Sequence, residues 1–174
     1  AMSIVFWYSG EWHLLWLLGL LGASVMGFLL WNWPPAKIFM GDIGSGFIGY
    51  VLGVIIILSV QHQPSLLWIW FILLGVFLID ATVTLVRRVL RGEPFYKAHR
   101  SHAFQHATDK MGSHRGVTRS VIVMNCFWLL PCALLAYRFI QYAFMIQIIA
   151  LVPLFILAMT LGAGVQKECK DADP

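Results

Sequence analysis

Long apolar runs separated by short polar segments dominate the pattern of this chain. Each run is close to the ~20 residues that a helix needs to cross the hydrocarbon core of a bilayer. The runs cover residues 13–31, 43–60, 66–86, 117–137 and 143–164. The pattern predicts an all-α fold: a single membrane domain over residues 1–174 that forms a polytopic bundle of about five transmembrane helices.

The composition agrees with a membrane protein and excludes a typical soluble domain. Hydrophobic residues make up 60% of the chain and charged residues only 11%, unlike the balance found in soluble proteins. The net charge of +4 does not indicate a nucleic-acid partner, because eight of the twelve Lys and Arg residues lie between Arg87 and Arg119. Cations clustered beside a membrane helix are a topology signal instead.

The cation cluster predicts how the chain is oriented. By the positive-inside rule, residues 87–116 form a cytoplasmic loop. Counting the spans in both directions then places the N-terminus outside and the C-terminus inside. The loop 33–45 and the tail 165–174 are therefore also predicted to be cytoplasmic, so most ionisable groups share one side of the membrane.

The segment PAKIFMGDIGSG places a carboxylate, a lysine and several glycines at the start of the second apolar run. Asp42 can be an N-cap, because Asp satisfies free amides at a helix start and Ser45 follows three residues later. The same position allows a second interpretation, in which the carboxylate holds Mg²⁺ while Lys37 and glycine amides contact phosphate oxygens. The two roles are compatible and both stay open.

The long loop between the third and fourth runs carries four of the six histidines. His102 and His106 are one helical turn apart, but the HExxH pattern and the cysteine pair that would favour zinc are missing. Guanidinium and imidazole donors suit phosphate groups, so Arg100 and His102 are predicted to recognise an anion. His99 and His114 are predicted to be solvated.

Two features of the apolar runs are interpreted as structural. Asp80 lies inside the third run, where a carboxylate needs a partner, and we expect it to pair with an arginine of its own or a neighbouring helix. Ser45, Gly49 and Gly53 recur every four residues, and such a stripe of small residues lets another helix approach closely.

Two motifs together carry a family resemblance. PAKIFMGDIGSGFIG and, further along, RR-x-x-RGEPFYKAHRSH resemble the polyprenyl-phosphate N-acetylhexosamine-1-phosphate transferases of glycosyltransferase family 4. The likeness is closer to the branch that starts O-antigen-like polysaccharides with N-acetylglucosamine 1-phosphate than to the muramoyl-pentapeptide branch. The resemblance implies a multi-pass protein of the bacterial inner membrane with its active face in the cytoplasm.

The resemblance also implies a reaction and a site. In that family the phosphate of undecaprenyl or another polyprenyl phosphate attacks the β-phosphorus of a UDP-N-acetylated hexosamine, and UMP leaves. By resemblance the cofactor is Mg²⁺, with Mn²⁺ as an alternative, Asp42 is the metal ligand, and Asp42 and His102 are catalytic. Substrate-binding roles are implied for Lys37, Arg100, Gly44, Ser45 and His106.

The chain departs from the family pattern in two places. The family usually has further histidines after the one that matches His102, but Phe104 and Gln105 occupy those positions, so His106 is considered as a substitute. The paired aspartates and the DGxDG segment of the family lie upstream of the first motif and have no counterpart here. A chain of this length is therefore expected to be the C-terminal half of an enzyme, and its missing N-terminal half is an expected partner.

Two other function classes stay open on the sequence. A transporter or channel module would use Asp80 and the histidines to line a pathway through the membrane. A non-catalytic membrane remnant would explain the missing upstream aspartates. Solute flux without any UDP-sugar would support the first, and an upstream reading frame with an aspartate pair would favour the transferase.

Overall fold

The computed structural model describes residues 2–33, 36–92 and 102–165, and their regular structure is entirely helical. The predicted all-α fold is therefore confirmed. The α-helices are α1 Met2–Ser9, α2 Trp12–Asn32, α3 Gly41–His62, α4 Leu66–Leu73, α5 Gly75–Leu90, α6 Ala103–Met111, α7 His114–Met124, α8 Leu130–Arg138 and α9 Ala143–Leu161.

Four continuous helical segments are long and apolar enough to cross a membrane. They are Trp12–Asn32, Gly41–His62, His114–Arg138 and Ile140–Leu161. A fifth candidate is the pair α4 and α5, which is bent by 76° at its junction. The predicted runs are therefore found, but the third is broken rather than straight.

The bend lies at Leu74 and Gly75, where the third span meets α9. Leu74 leaves helical geometry with φ −88° and ψ 4°. A Cβ atom added to Gly75 would lie 2.6 Å from Cδ2 of Leu151, so a side chain at this position would collide with α9. The absence of a side chain at Gly75 thus allows the two helices to meet closely at the bend.

A second irregularity divides the fourth span. Residues Asn125–Leu129 form a π-helical turn between α7 and α8, and Pro131 lies in the first turn of α8. Proline has no N–H and its ring clashes with the carbonyl four residues earlier, and widened turns commonly absorb such a clash. The span thus continues through the proline without ending.

The main core lies between α4, α8 and α9, with α1 packed against it. Ile69, Ile72 and Leu129 are fully buried, and Ala133 and Ala150 pack beside them as small residues. Small side chains let membrane helices approach closely, which increases van der Waals contact. By contrast, α2 and α3 contribute few buried residues within the described part of the chain.

The small-residue stripe on α3 does not meet another helix in the described residues. A Cβ atom at Gly49 or Gly53 would have no neighbour within 4 Å. Ser45 donates its hydroxyl to the carbonyls of Gly41 and Asp42, at 3.2 and 3.1 Å. No helix among the described residues packs against the small-residue stripe of α3, so its predicted packing role stays a prediction.

A buried hydrogen bond joins α3 to α4, and its loss should be measurable. Trp70 Nε1 donates to Ser59 Oγ at 2.9 Å, and both residues are buried. We expect Ser59→Ala to lower the free energy of unfolding by about 1–2 kcal/mol, because the indole N–H is left without its acceptor. Unfolding in mixed detergent micelles measures the change. Ser24→Ala is the matched control, because the Ser24 hydroxyl is exposed and, in the described part of the chain, bonds to Leu20 of its own helix. An equal loss in both variants would contradict the prediction.

Candidate functional site

The C-terminal end of α9 is held by basic side chains from two other helices. Arg87 Nη1 donates to the Ala163 carbonyl at 2.8 Å and Arg91 Nη1 to the Gly164 carbonyl at 2.9 Å. From α6, His106 Nε2 lies 3.0 Å from the carbonyl oxygen of Val165, and Lys110 Nζ lies 3.5 Å from that of Thr160. Carbonyls at a helix end lack partners in their own helix, so these contacts bring the ends of α5, α6 and α9 together.

A cavity of about 790 Å³ brings the α2–α3 loop beside the start of α7. The loop contributes Asn32, Trp33, Ala36 and Phe39, and the α7 side contributes a polar and basic set: Ser113, His114, Arg115, Thr118 and Arg119. We call this side of the molecule the loop end. The two segments that meet here belong to, or adjoin, the loops 33–45 and 87–116, which the positive-inside rule predicts on the same side of the membrane.

Asp42 lies in the first turn of α3 and is exposed. The interpretation of Asp42 as an N-cap is wrong: the capping position is Met40, and no side chain caps this helix start. Gly41 reverses the chain with φ +63° and shifts Asp42 into the helix. Within the described residues its carboxylate makes no hydrogen bond or ion pair, so both oxygens are available to a ligand.

Lys37 lies in the loop that leads to Asp42, and α2 holds it in place. Its backbone N–H donates to the Trp31 carbonyl at 3.0 Å, and its Nζ lies 5.4 Å from the centre of the Trp31 ring. Asn32 Nδ2 also donates to the Ile38 carbonyl at 2.7 Å. The loop is therefore folded back on the end of α2, with the ammonium group exposed over an aromatic face.

Gly44 and Ser45 lie within the first turns of α3 rather than in a free loop. A Cβ atom at Gly44 would approach Cγ of Met40 to 2.6 Å, so the bare glycine leaves space for the methionine side chain. The Ser45 hydroxyl bonds back to its own helix. Both residues support the first turn of α3, which contains Asp42, and their predicted substrate contacts stay predictions.

His102 is the N-cap residue of α6, where its side chain accepts the backbone N–H of Gln105, and Asp80 of α5 lies beside it. Asp80 Oδ1 accepts the backbone N–H of Ala103 at 2.7 Å and the Thr84 hydroxyl at 3.3 Å, and it lies 3.6 Å from His102 Nδ1. Among the described residues Asp80 pairs with no arginine, so the expected arginine partner is not found there. Arg87 and Arg91 of the same helix bond to the end of α9 instead.

His106 lies on the inner face of α6 and is buried. Its Nε2 is at hydrogen-bond distance from the Val165 carbonyl, so one ring nitrogen serves the end of α9. His114 is exposed, as its predicted solvation requires, although it also lines the loop-end cavity. Arg100 and His99 lie outside the described residues.

The described residues alone do not form a complete metal site. In residues 2–33, 36–92 and 102–165, no group of three His, Cys, Asp or Glu side chains could hold a metal ion. Mg²⁺ does not require such a group, because it commonly binds through one or two carboxylates together with substrate phosphates and waters. Asp42, with its available carboxylate, fits one protein ligand of such a site.

The sequence reasoning missed two features of this site. Arg115 and Arg119 were assigned only to the topology signal, yet both line the loop-end cavity. Their spacing of four residues on a helix could have indicated a shared face. The contact of Asp80 with His102 had no such signal, because the two residues are separated by a loop of unknown path.

Comparisons with known proteins agree with the motif-based resemblance. Residues 1–60 match the family model of glycosyl transferase family 4. The chain is 32% identical over 143 residues to the probable undecaprenyl-phosphate N-acetylglucosaminyl 1-phosphate transferase of Bacillus subtilis (strain 168), a match that covers 80% of this chain and 40% of that protein. No solved structure gives a significant match.

Relatives from the second branch also match. The chain is 40% identical over 89 residues to the phospho-N-acetylmuramoyl-pentapeptide-transferase of Levilactobacillus brevis, covering 51% of this chain and 26% of the relative. It is 33% identical over 124 residues to the transferase of the same name from Rhodopseudomonas palustris (strain BisA53), covering 66% of this chain and 29% of the relative. In each of these matches the chain spans less than half of its relative. The matched residues and the two motifs lead to one conclusion: the chain belongs to glycosyl transferase family 4.

Proposed function

We propose that this chain is part of an enzyme that transfers an N-acetylated amino-sugar 1-phosphate from a UDP-sugar to polyprenyl phosphate. The observation that carries the proposal is the carboxylate of Asp42, which lies in the first turn of α3 and has no hydrogen-bond or ion-pair partner among the described residues. The α2–α3 loop that precedes it lines a cavity together with Arg115 and Arg119. Charge neutralisation and positioning are the main requirements of phosphoryl transfer. A carboxylate that holds Mg²⁺ and cationic side chains that bind phosphate oxygens would together meet both requirements.

In the proposed reaction, an oxygen of the lipid phosphate forms a bond to the β-phosphorus of the UDP-sugar. The bond between that phosphorus and the bridging oxygen breaks, and UMP leaves with the bridging oxygen. Bound Mg²⁺ would neutralise the negative charge of the diphosphate. Lys37, Arg100 and His102 are proposed to bind the phosphate oxygens, because cationic donors stabilise charge on transferring phosphoryl groups.

The acceptor is proposed to be undecaprenyl phosphate or a related polyprenyl phosphate in the inner membrane of a bacterium. An apolar cavity of about 240 Å³ between α5, α6, α7 and α9 offers hydrocarbon contacts, with residues such as Ile79, Val121 and Leu157 on its walls. The relative from Bacillus subtilis, which matches most of this chain, carries the acceptor in its name. Both observations support a lipid substrate.

N-acetylglucosamine 1-phosphate is the proposed group to be transferred, in the first membrane step of an O-antigen-like envelope polysaccharide. The support is the longer match to the N-acetylglucosaminyl transferase, which covers 80% of this chain, together with a histidine loop that differs from that of the muramoyl branch. Selectivity among such sugars depends on the shape of the binding pocket, so a comparison of several UDP-sugars decides between the branches.

A substrate panel tests the proposed function. Full-length protein is incubated with undecaprenyl phosphate, Mg²⁺ and one UDP-sugar at a time: UDP-N-acetylglucosamine, UDP-N-acetylgalactosamine or UDP-N-acetylmuramoyl-pentapeptide. We expect UMP release that requires both the lipid and Mg²⁺, and that is fastest with UDP-N-acetylglucosamine. Release that is fastest with the muramoyl substrate would reassign the branch. No release with any sugar, in protein shown to be folded, would contradict the proposal.

A further inference from the structure

A groove of about 670 Å³ lies between the fourth span and α9, outside the cavities that the proposed reaction uses. Arg119, Val123 and Phe127 follow one another every four residues along its first wall, and all three are exposed. Residues four apart are neighbours on a helix surface, so the line from Arg119 to Phe127 extends about 12 Å along the span. The groove therefore has a cation at one end and hydrocarbon side chains along its length.

The second wall of the groove comes from α9, where Pro153 and Leu157 line it. Trp128 lines the groove from the fourth span, and its Nε1 donates to the carbonyl of Ala150 at 3.0 Å. This hydrogen bond holds the indole across the gap between the two helices. The indole thus forms the inner end of the groove, and Arg119 forms the end nearest the loops.

Arg119 lies where the groove meets the loop-end cavity, because its side chain lines both. Arg87 and Arg91 direct their charges to carbonyls at the end of α9, whereas the guanidinium of Arg119 makes no hydrogen bond or ion pair within the described residues. None of the described residues that line the groove or the loop-end cavity is an Asp or Glu. The mouth of the groove therefore attracts an anion, and a guanidinium group suits phosphate oxygens.

We infer that this groove binds one acidic phospholipid, with its phosphate at Arg119 and one of its acyl chains between the fourth span and α9. A cation at the end of an apolar groove matches the two parts of such a lipid. Basic pockets between membrane helices on the cytoplasmic side bind acidic head groups, and the positive-inside rule predicts that the loop end is cytoplasmic. The inference does not depend on the proposed transfer reaction.

The acceptor of the proposed reaction also carries a phosphate on a hydrocarbon chain, but the position of the groove favours a phospholipid. Lys37, Asp42 and His102 are the described residues with proposed contacts to phosphate or metal, and none of them lines the groove. A phospholipid in the groove contacts both helices of the pair at once. Because it binds only where the two helices are packed together, it should stabilise the folded protein.

Lipid titration of the full-length protein tests the inference. Protein in neutral detergent is titrated with phosphatidylglycerol or with phosphatidylethanolamine, which has no net charge, and native mass spectrometry counts the lipids retained. We expect one phosphatidylglycerol to be retained and the melting temperature to rise with its concentration, because a ligand of the folded state stabilises that state. Equal retention of the two lipids, or retention of neither, would overturn the inference.

Arg119→Gln tests the contact with the head group. It should weaken the apparent affinity for phosphatidylglycerol about fivefold, the effect expected of one cation near an acidic lipid. Arg138→Gln is the matched control, because Arg138 is exposed at the opposite end of the same span and lies over the Phe139 ring. Equal losses of affinity in the two variants would overturn the inference, because the change in net charge would then account for both.

A second variant tests the apolar part of the groove while keeping the charge. Val123→Trp places a large ring in the groove and leaves Arg119 unchanged, so it should weaken phosphatidylglycerol binding at least as much as Arg119→Gln. Val152→Trp is the control, because Val152 is exposed on α9 but does not line the groove. All variants should melt like the wild type before lipid is added. Unchanged lipid binding by Val123→Trp would show that the groove does not hold the acyl chain.

Competition with undecaprenyl phosphate distinguishes the two phosphate-bearing lipids. We expect equimolar undecaprenyl phosphate to leave the retained phosphatidylglycerol in place, whether or not the protein transfers a sugar. Displacement would overturn the inference, because it would identify the acceptor as the occupant of the groove. Retention of phosphatidylglycerol by a protein that releases no UMP would support the inference while contradicting the proposed function.

Discussion

Asp42→Asn in the full-length protein is expected to lower Mg²⁺-dependent UMP release by roughly 10²–10³-fold, the usual effect of removing one electrostatic contact to a transition state. Asparagine keeps the shape of the side chain but loses the charge that attracts a divalent cation. Because the Asp42 carboxylate makes no hydrogen bond or ion pair within the described residues, its replacement should leave the helix intact. UMP release and the apparent affinity for Mg²⁺ are the measurements.

The control for Asp42 is another exposed acid of the chain. Asp109 is exposed on α6, and Asp109→Asn removes the same charge from a residue to which no catalytic role is assigned. Asp109→Asn should retain turnover, and both variants should insert into the membrane like the wild type. If Asp42→Asn retained turnover at saturating Mg²⁺, the residue would lose its catalytic assignment.

Gly164→Ala is expected to lower the free energy of unfolding by about 2 kcal/mol, from positive φ and crowding together. Gly164 has φ +77°, and a Cβ atom there would lie 2.8 Å from Arg87 Cβ and 3.1 Å from the Thr84 carbonyl oxygen. The backbone oxygen cannot rotate away as a side chain can. The substitution should therefore separate the end of α9 from α5, which thermal or detergent-induced unfolding would measure.

Gly162 provides the matched comparison for Gly164. It ends α9 with φ +86°, but a Cβ atom there would have no neighbour within 4 Å. Gly162→Ala therefore carries the cost of positive φ, about 1 kcal/mol, without the collision. The difference between the two variants measures the close approach of α9 to α5. Equal free energies of unfolding for the two variants would show that the close approach of α9 to α5 does not affect stability.

Much of the architecture could be predicted because the bilayer imposes a simple rule on sequence. A spanning helix must be apolar over its length, so hydropathy located the spans within a few residues of their observed ends. Hydropathy could not show the bend at Gly75, since residues 66–86 remain apolar through it. At the bend Gly75 lies against Leu151 of α9, a tertiary contact that the hydropathy pattern does not contain.

The candidate site was predictable only where its chemistry is local. Lys37 and Asp42 are five residues apart, and the motif places them at one helix start. The contact between Asp80 and His102 depends on how the chain returns from α5 to α6, which spacing does not define. Arg87, on the same helix as Asp80, instead donates to the carbonyl of Ala163 just past the end of α9.

The contacts at the end of α9 change what the positive charge of this protein does after insertion. Arg87, Arg91 and Lys110 belong to the cation cluster from which the cytoplasmic side is predicted, yet each directs its charge toward a backbone oxygen of residues 160–164. Their attraction for acidic phospholipids is reduced accordingly, since a side chain engaged with the protein is less able to follow a headgroup. The electrostatic attraction between the leaflet and this protein is therefore weaker than its charge count suggests, and removal of residues 160–164 would restore it.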